Sequence, residues 1–182
     1  MKIYTRKGDD GTTGLLFGGR VRKDAPAIDA NGAVDEAQAA LGVARAETER
    51  SGELDVLLIG LERDLWVLMA ELATAAENQH KLEAGTSRVT AEMVERLEPL
   101  IDELTTRFPA VTEFVIPGQN RIAAALDVAR TVVRRAERLA LGVSAEDSYV
   151  GPYLNRLSDL LWTSARWQEG ESLPTRSERK RE

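Results

Sequence analysis

The residues best suited to chemistry are arginines that recur along one predicted helix, from Asn120 to Gly142. Arg130, Arg134 and Arg138 follow at four-residue steps, so a helix stacks them into one column along a single flank. A guanidinium group binds phosphate oxygens in a bidentate way and keeps its charge when partly desolvated. The column therefore predicts a site for an anion with several negative centres, and polyphosphate is the first ligand to consider. The alternative is a solvated basic face whose arginines pair with neighbouring helices.

The N-terminal segment, residues 1–25, supplies a second set of groups that could contact an anion. It contains five glycines and shows no helical period. Glycine lets backbone N–H groups approach a phosphate closely, and a long segment without regular structure either binds something or is disordered. The hydroxyl and cationic donors that it adds are Thr5, Arg6, Lys7, Thr12, Thr13 and Lys23. We predict an irregular phosphate-binding loop, although its spacing matches neither a Walker A loop nor a Rossmann fingerprint.

Apolar residues recur at three- and four-residue steps through the rest of the chain and predict five helices. The predicted helices cover residues 26–50, 53–78, 90–108, 120–142 and 152–169. Pro99 lies inside the third helix, where a proline predicts a kink or a break. We therefore predict an all-α five-helix bundle over residues 26–169, in one domain with the N-terminal loop. Residues 170–182 have too little apolar content to fold and are expected to form a flexible polar tail.

The composition excludes several classes of site and partner. The 182-residue chain has a formal net charge of -6, whereas a protein that coats nucleic acid needs a basic surface. It has no cysteine, which excludes disulfides, thiolate zinc sites and cysteine nucleophiles. No apolar run reaches the roughly 18 residues needed to span a bilayer, and no signal peptide is evident. We expect a cytoplasmic protein that binds neither nucleic acid nor membrane.

Two more residues have roles that their positions leave open. Asp35 lies on a small, polar face of the first helix, where it could meet a ligand or another subunit. A solvated aspartate is the commoner outcome at such a position. Phe114 is the one aromatic residue in the apolar connection 113–118. It either plugs the core or faces a ligand, and position alone favours the plug.

Six blocks of the chain resemble the PduO-type ATP:cob(I)alamin adenosyltransferases. They are T-R-K-G-D-D-G-T-T-G at 5–14, R-V-R-K-D at 20–24, G-A-V-D-E at 32–36, F-V-I-P-G at 114–118, R-T-V-V-R-R-A-E-R at 130–138 and Y-L-N-R-L-S-D at 153–159. The blocks occur in the family's order, which makes the set far more specific than any single block. The chain departs from the family at Gly118-Gln119-Asn120, where many members have Gly-Gly, and at Arg6, where lysine is also common.

The resemblance implies a ferritin-like homotrimer of five-helix bundles with ATP bound between neighbouring subunits. Carried over by position, the ATP-binding residues are Thr5, Arg6, Lys7, Gly8, Thr13, Gly14, Lys23, Arg134, Arg135, Glu137, Arg138 and Asn155. The resemblance also implies that Asp35 and Arg130 form a salt bridge across the subunit interface. For Phe114 it implies exclusion of the lower axial ligand from cobalt, which replaces the plug.

The implied reaction moves the 5'-deoxyadenosyl group of ATP to the cobalt of cob(I)alamin and gives adenosylcobalamin and triphosphate. ATP and cob(I)alamin are then substrates, and Mg2+ is bound through the triphosphate rather than by protein ligands. A flavoprotein reductase and an adenosylcobalamin-dependent client enzyme are the further partners that it implies. Two alternatives stay open: a non-catalytic helical bundle that carries corrinoid or mediates an interaction, and a protein that hydrolyses ATP.

Overall fold

A computed structural model describes residues 2–176, which form a helical bundle with two small antiparallel sheets. The helices are α1 (Pro26–Ala46), α2 (Glu53–Leu72), α3 (Ala91–Glu95), α4 (Leu97–Thr105), α5 (Arg121–Ala140) and α6 (Val150–Glu169), and a short 3-10 helix covers Ala76–Lys81. The strands are β1 (Thr12–Gly14), β2 (Arg20–Arg22), β3 (Val115–Ile116) and β4 (Leu173–Pro174). Within the described part of the chain, no helix has the length and apolar content needed to cross a membrane.

The core is built around α5, which packs on α1 and on α6, while α2 packs on α1 and α4 packs on α6. Both α1 and α5 bury alanines along their apolar stripes, and these short side chains let the two helix axes approach closely. The longer side chains that fill the core come mainly from α2 and α6 and include Leu58, Leu65, Leu68, Leu154, Leu157 and Leu161. This packing fixes the rotation of α5 and therefore which of its flanks faces outward.

The predicted all-α five-helix bundle is confirmed, and its third helix is divided in two. Arg96 separates α3 from α4, so Pro99 falls in the first turn of α4, where a missing N–H breaks no intrahelical hydrogen bond. Thr90 caps α3 by accepting a hydrogen bond from the N–H of Met93 at 3.4 Å. The second predicted helix is too long, because α2 ends at Leu72 and the 3-10 helix follows after a short gap.

A polar cluster of the buried Tyr153 and Asp64 with the exposed Arg96 joins α2, α6 and the break between α3 and α4. The hydroxyl of Tyr153 donates to Oδ2 of Asp64 at 2.6 Å, and the Arg96 guanidinium pairs with the same carboxylate. Burial raises the pKa of Tyr153 well above its usual value, so this hydroxyl stays protonated and remains a donor. The cluster ties the broken third helix to the bundle.

The N-terminal segment is more regular than the sequence predicts. Strands β1 and β2 pair antiparallel, with Thr13 opposite Val21. The N–H of Leu16, between the strands, donates to the backbone oxygen of Ala73 at 2.9 Å and docks the hairpin on the end of α2. Strands of three residues are too short for a period of two to be read from the sequence, which explains the missed hairpin.

The prediction of a flexible tail is wrong for its first residues. Strand β4 pairs antiparallel with β3, and the N–H of Thr175 donates to the backbone oxygen of Phe114 at 2.8 Å. Gly170 ends α6 with a φ of 69°, a left-handed conformation that turns the chain towards β3. Backbone hydrogen bonds hold this segment, and the apolar content of a sequence gives no indication of such bonds. The remaining tail residues, 177–182, lie outside the described part of the chain.

Candidate functional site

The turn before α5 is formed by Gly118-Gln119-Asn120, where the chain departs from the family pattern. Gly118 has a φ of 108°, which strongly favours glycine. The Asn120 side chain accepts a hydrogen bond from the N–H of Ala123 at 2.8 Å and so caps α5. Its Nδ2 donates to the backbone oxygen of Gln168 at 2.8 Å, which ties the start of α5 to the end of α6. The hydrogen bonds of Asn120 therefore hold the turn to both α5 and α6.

The arginines of α5 differ in exposure and in partners. Arg134 and Arg138 are exposed and lie one turn apart, and Nη1 of Arg138 donates to the backbone oxygen of Arg134 at 2.9 Å. Arg135 lies off the column and forms an ion pair with Glu36 of α1. Within residues 2–176 no ion pair involves Arg134 or Arg138. Arg134 and Arg138 thus present positive charge that no carboxylate of the described chain neutralises, whereas Arg135 fits the alternative of a helix-pairing arginine.

Two polar residues beside the column link α5 to α6. Nδ2 of Asn155 donates to Oε1 of Glu137 at 3.0 Å, and Nη1 of Arg156 donates to Oδ1 of Asn155 at 2.8 Å. Asn155 and Glu137 are both half-buried. The structure therefore brings these two predicted ligand-binding residues together and holds them in fixed positions next to the arginines.

In the N-terminal loop, Lys23 folds back against the backbone near Gly8. A Cβ atom added to Gly8 would lie 3.1 Å from Nζ of Lys23 and 3.1 Å from the backbone oxygen of Thr12. A side chain at this position would push the ammonium away, so the close approach favours glycine. The N–H of Lys23 donates to the backbone oxygen of Gly11 at 2.9 Å. The loop thus gathers a cation and several glycines into a small region.

Arg20 organises the same loop, a role that the sequence did not reveal. Its Nη2 donates to the backbone oxygen of Lys7 at 2.5 Å, and its Nε donates to Oγ1 of Thr12 at 2.9 Å. The hydroxyl of Thr12 donates to Oδ1 of Asp10 at 2.7 Å, and this bond is the main reason why the pKa of Asp10 lies below its usual value. Arg20 lies opposite Gly14 in the hairpin, and because the hairpin was not predicted, the sequence carried no signal for this role.

The predicted ATP-binding residues form two groups in this chain. The loop group is Thr5, Arg6, Lys7, Gly8, Thr13, Gly14 and Lys23, and the helix group is Arg134, Arg135, Glu137, Arg138 and Asn155. In the described region, no hydrogen bond or ion pair joins the loop group to the helix group. Within the described chain, each group therefore has its own contacts, and no bond links the two.

A cavity of about 700 Å³ lies next to the column, between the segment before α5 and the helices α5 and α6. Aromatic side chains and charged side chains both line it: Phe114, Asp127, Arg130, Trp162 and Arg166. Phe114 is 88% exposed, so the prediction that it plugs the core is wrong. The pairing of β3 with β4 holds this segment at the surface, where the ring borders the cavity instead of entering the core.

Arg130 and Asp35 do not meet within one chain. Nε of Arg130 donates to Oδ1 of Asp127 at 3.1 Å, and the Arg130 side chain is half-buried beside the cavity. Asp35 is exposed on α1 and has no ion-pair partner among residues 2–176. A salt bridge between Arg130 and Asp35 would therefore have to involve a second copy of the chain.

Three residues that line the cavity were missed from the sequence, namely Asp127, Trp162 and Arg166. For Asp127 and Arg166 the sequence did hold a signal, namely a charged residue directly after an apolar residue of the helix stripe. Asp127 follows Leu126, and Arg166 follows Ala165. Charges at the edge of a stripe are buried only when they are paired. Asp127 and Arg166 are 5% and 1% exposed, and they pair with each other at 2.6 Å.

Comparison with known proteins agrees with the sequence resemblance. The family model described as Cobalamin adenosyltransferase matches residues 3–168. The chain is 41% identical over 171 residues to a corrinoid adenosyltransferase of Citrobacter freundii, and the match covers 92% of this chain and 95% of the relative. It is 35% identical over 172 residues to a corrinoid adenosyltransferase of Bacillus subtilis, covering 91% of this chain and 86% of the relative.

Comparison with solved structures agrees with the family model and the sequence relatives. A phenylalanine-to-histidine variant of a PduO-type ATP:corrinoid adenosyltransferase from Lactobacillus reuteri, complexed with cobalamin and ATP, has a TM-score of 0.86 and 29% identity, covering 97% of both chains. An arginine-to-lysine variant from the same organism, complexed with ATP, has a TM-score of 0.82 and 29% identity, covering 96% of this chain and 100% of that chain. Because sequence, fold and coverage agree, the chain belongs to the cobalamin adenosyltransferase family, as a member of its PduO type.

Proposed function

We propose that this protein transfers the 5'-deoxyadenosyl group of ATP to the cobalt of cob(I)alamin. The observation that carries the proposal is the flank of α5. Arg134 and Arg138, which have no ion-pair partner among residues 2–176, continue a column that reaches the cavity at Arg130. The charged part of this surface is suited to bind a triphosphate, and the aromatic part is suited to bind a corrinoid. Relatives named corrinoid adenosyltransferase and structural neighbours complexed with cobalamin and ATP support the same activity.

In the proposed reaction, the cobalt of cob(I)alamin is the nucleophile. Its electron pair forms the Co–C bond at C5' of the ribose, and the C5'–O bond breaks with its electron pair leaving on the triphosphate. No proton has to move, so the reaction needs no general base. The protein must align C5' with the metal and stabilise the charge that develops on the leaving triphosphate.

We assign these tasks to the two groups of residues. Arg134, Arg138 and Lys23 would neutralise the developing charge, and backbone N–H groups of the loop would bind phosphate oxygens. The remaining predicted residues would hold the nucleotide in place: Thr5, Arg6, Lys7, Gly8, Thr13, Gly14, Arg135, Glu137 and Asn155. We propose that Mg2+ enters on the triphosphate, whose oxygens are ligands that this ion prefers.

We further propose a homotrimer in which the loop group of one subunit meets the helix group of its neighbour. Two observations on residues 2–176 support this arrangement: no hydrogen bond or ion pair joins the two groups, and Asp35 is exposed without an ion-pair partner. The cell compartment is proposed to be the cytoplasm. Because the nucleophile is Co(I), a reductase of the flavoprotein class would supply the electron, and an adenosylcobalamin-dependent enzyme would consume the product.

The decisive experiment is anaerobic incubation of the protein with ATP and chemically reduced cob(I)alamin. We expect the visible spectrum to convert to that of adenosylcobalamin, with intact triphosphate released in equal amount. A corrinoid carrier would bind the cofactor without conversion. A protein that hydrolyses ATP would release phosphate or diphosphate, so either of these results would overturn the proposal.

The salt bridge across the interface is tested by a double-mutant cycle. We expect Asp35→Ala and Arg130→Ala each to lower kcat/KM by about 10- to 100-fold, because each removes one partner of a desolvated ion pair. In free-energy terms, the loss in the double variant should be smaller than the sum of the two single losses, and the difference should be about 1 kcal/mol or more. Mixing the two single variants should restore part of the activity, because mixed trimers rebuild one intact pair. Fully additive losses would contradict the pairing.

The contact between Thr175 and Phe114 gives a further prediction. Thr175→Pro removes the N–H that donates to the backbone oxygen of Phe114, and loss of such a bond costs about 1 kcal/mol. We expect about a fivefold loss of turnover when the reaction starts from cob(II)alamin, because the Phe114 segment is less firmly held. Thr175→Ala keeps the N–H and should behave as wild type. Equal activity of the two variants would show that the hydrogen bond from Thr175 to Phe114 has no role in positioning Phe114.

A further inference from the structure

A buried network of four charged residues lies under the cavity. Asp127 on α5 accepts hydrogen bonds from two guanidinium groups, with Oδ1 receiving Nε of Arg130 at 3.1 Å and Oδ2 receiving Nη2 of Arg166 at 2.6 Å. Nη2 of Arg166 also donates to Oε1 of Glu169 at 3.1 Å. The four formal charges cancel, so the network can be buried without a net charge.

The members of this network differ in how far they reach solvent. The side chains of Asp127, Arg166 and Glu169 are nearly or fully buried, whereas the side chain of Arg130 is 27% exposed. Arg166 also lies against the ring of Trp162, with its Cζ atom 5.7 Å from the ring centroid. The buried members are therefore held from several sides. Asp127 and Arg166 also border the cavity, and Arg130 is the most exposed member of the network beside it.

The hydrogen bond to Asp127 determines which donors of Arg130 stay available. A guanidinium group has five N–H donors, and Asp127 engages the one on Nε. The Arg130 side chain forms no other hydrogen bond with the residues that the structure describes. Its two terminal nitrogens are therefore left for a group outside this chain's own fold, such as the carboxylate of Asp35 from a second copy.

We infer that Asp127 is a positioning residue, anchored by Arg166, that holds Arg130 by its Nε and directs the terminal nitrogens of Arg130 to the adenosyl-transfer site. This inference rests on the proposed function and adds to it a residue that the family resemblance did not supply. The Asp127 side chain is only 6% exposed and both of its oxygens accept from guanidinium groups, so we assign its effect to Arg130 and not to a substrate contact. Its carboxylate is needed because a neutral amide in the same place cannot accept from both guanidinium groups.

The test is a cycle between Asp127→Asn and Arg130→Met in the adenosyl-transfer assay. Asparagine keeps one acceptor oxygen but turns a donor towards the other guanidinium, so we expect kcat to fall about tenfold with less than a twofold change in KM for ATP. In the Arg130→Met background the same change should alter kcat by less than about twofold. Asp102→Asn, a change of the same kind at an exposed position of α4, should leave kcat unchanged. An equal tenfold loss in both backgrounds would mean a general structural role and would overturn the inference.

A second measurement does not depend on turnover. In nitrogen-15 NMR spectra, the Nε–H signal of Arg130, identified by its absence in Arg130→Met, should exchange with water about tenfold faster in Asp127→Asn than in the wild type. Unchanged exchange would overturn the inference. If the wild type forms no adenosylcobalamin, the proposed function fails, and this measurement still decides whether Asp127 holds Arg130.

A variant that keeps the fold covers the case in which Asp127→Asn does not fold. The triple change Asp127→Leu, Arg166→Met and Glu169→Gln removes the three most buried charges together, and the charge that remains, on Arg130, is partly exposed to solvent. We expect this variant to fold and to show the same tenfold loss of kcat, because Arg130 has lost its anchor. A folded triple variant with wild-type kcat would overturn the inference.

Discussion

Replacing Arg134 with alanine should lower kcat for adenosyl transfer by about 100- to 1000-fold, the range expected when one group that stabilises a developing charge is lost. Arg134 is exposed on α5 and has no ion-pair partner among residues 2–176, so its charge is free to act on a ligand. Because the triphosphate gains charge only as the C5'–O bond breaks, the loss should appear in kcat more than in KM for ATP. Steady-state kinetics under anaerobic conditions would measure both constants.

The control for Arg134 is Arg121 on the same helix. It is also exposed and has no ion-pair partner in the described chain, but it lies at the opposite end of α5. Arg121→Ala should change kcat by less than about twofold, as expected for a surface substitution. Arg134→Lys keeps the charge but loses the planar fork, so its activity should lie between those of wild type and alanine variant. Similar losses at Arg121 and Arg134 would refute a specific role for the column.

Replacing Phe114 with alanine should slow the reaction that starts from cob(II)alamin by about 100-fold. The ring is exposed beside the cavity, and covering it against a ligand is worth up to about 3 kcal/mol. A dry aromatic wall beside cobalt disfavours an axial ligand, which makes Co(II) easier to reduce. Starting from cob(I)alamin bypasses that reduction, so the loss should then be less than about tenfold.

Two further variants test whether the expected loss is specific to the Phe114 ring. Trp66→Ala removes another exposed aromatic residue, on α2 and away from the cavity, and should affect neither reaction. Phe114→Leu keeps an apolar side chain and should retain more of the cob(II)alamin reaction than Phe114→Ala does. If Phe114→Ala slows both reactions equally, the ring does not act through the axial ligand.

The helices and the arginine column were predictable because both follow from local periodicity. Four-residue spacing places Arg130, Arg134 and Arg138 on one flank whatever the rest of the fold does. Pro99 predicted a break in the third helix because its ring excludes an interior position, and the chain restarts a helix at Leu97. The capping roles of Thr90 and Asn120 were likewise readable, since a side-chain oxygen before an apolar stripe favours a helix start.

Features that depend on distant backbone pairing were not predictable from local pattern. The pairing of β4 with β3 joins residues 173–174 to 115–116, and neither segment is long enough to show a strand period. This pairing keeps Phe114 at the surface, so the choice between a core plug and a ligand-facing ring could not be made from the apolar connection alone. The resemblance to the family supplied the second choice, and the exposure of Phe114 agrees with it.

The sequence by itself determined a bundle of amphipathic helices, a glycine-rich loop and a column of arginines, because each depends on spacing along the chain. Only the tertiary structure decided which of these charges are neutralised. Asp127 and Arg166 lie 39 positions apart and become partners only when α5 packs on α6, whereas Arg134 meets no carboxylate in the described chain. The physical reason is that periodicity assigns a residue to a helix face, and the packing of two faces decides which charges come within bonding distance.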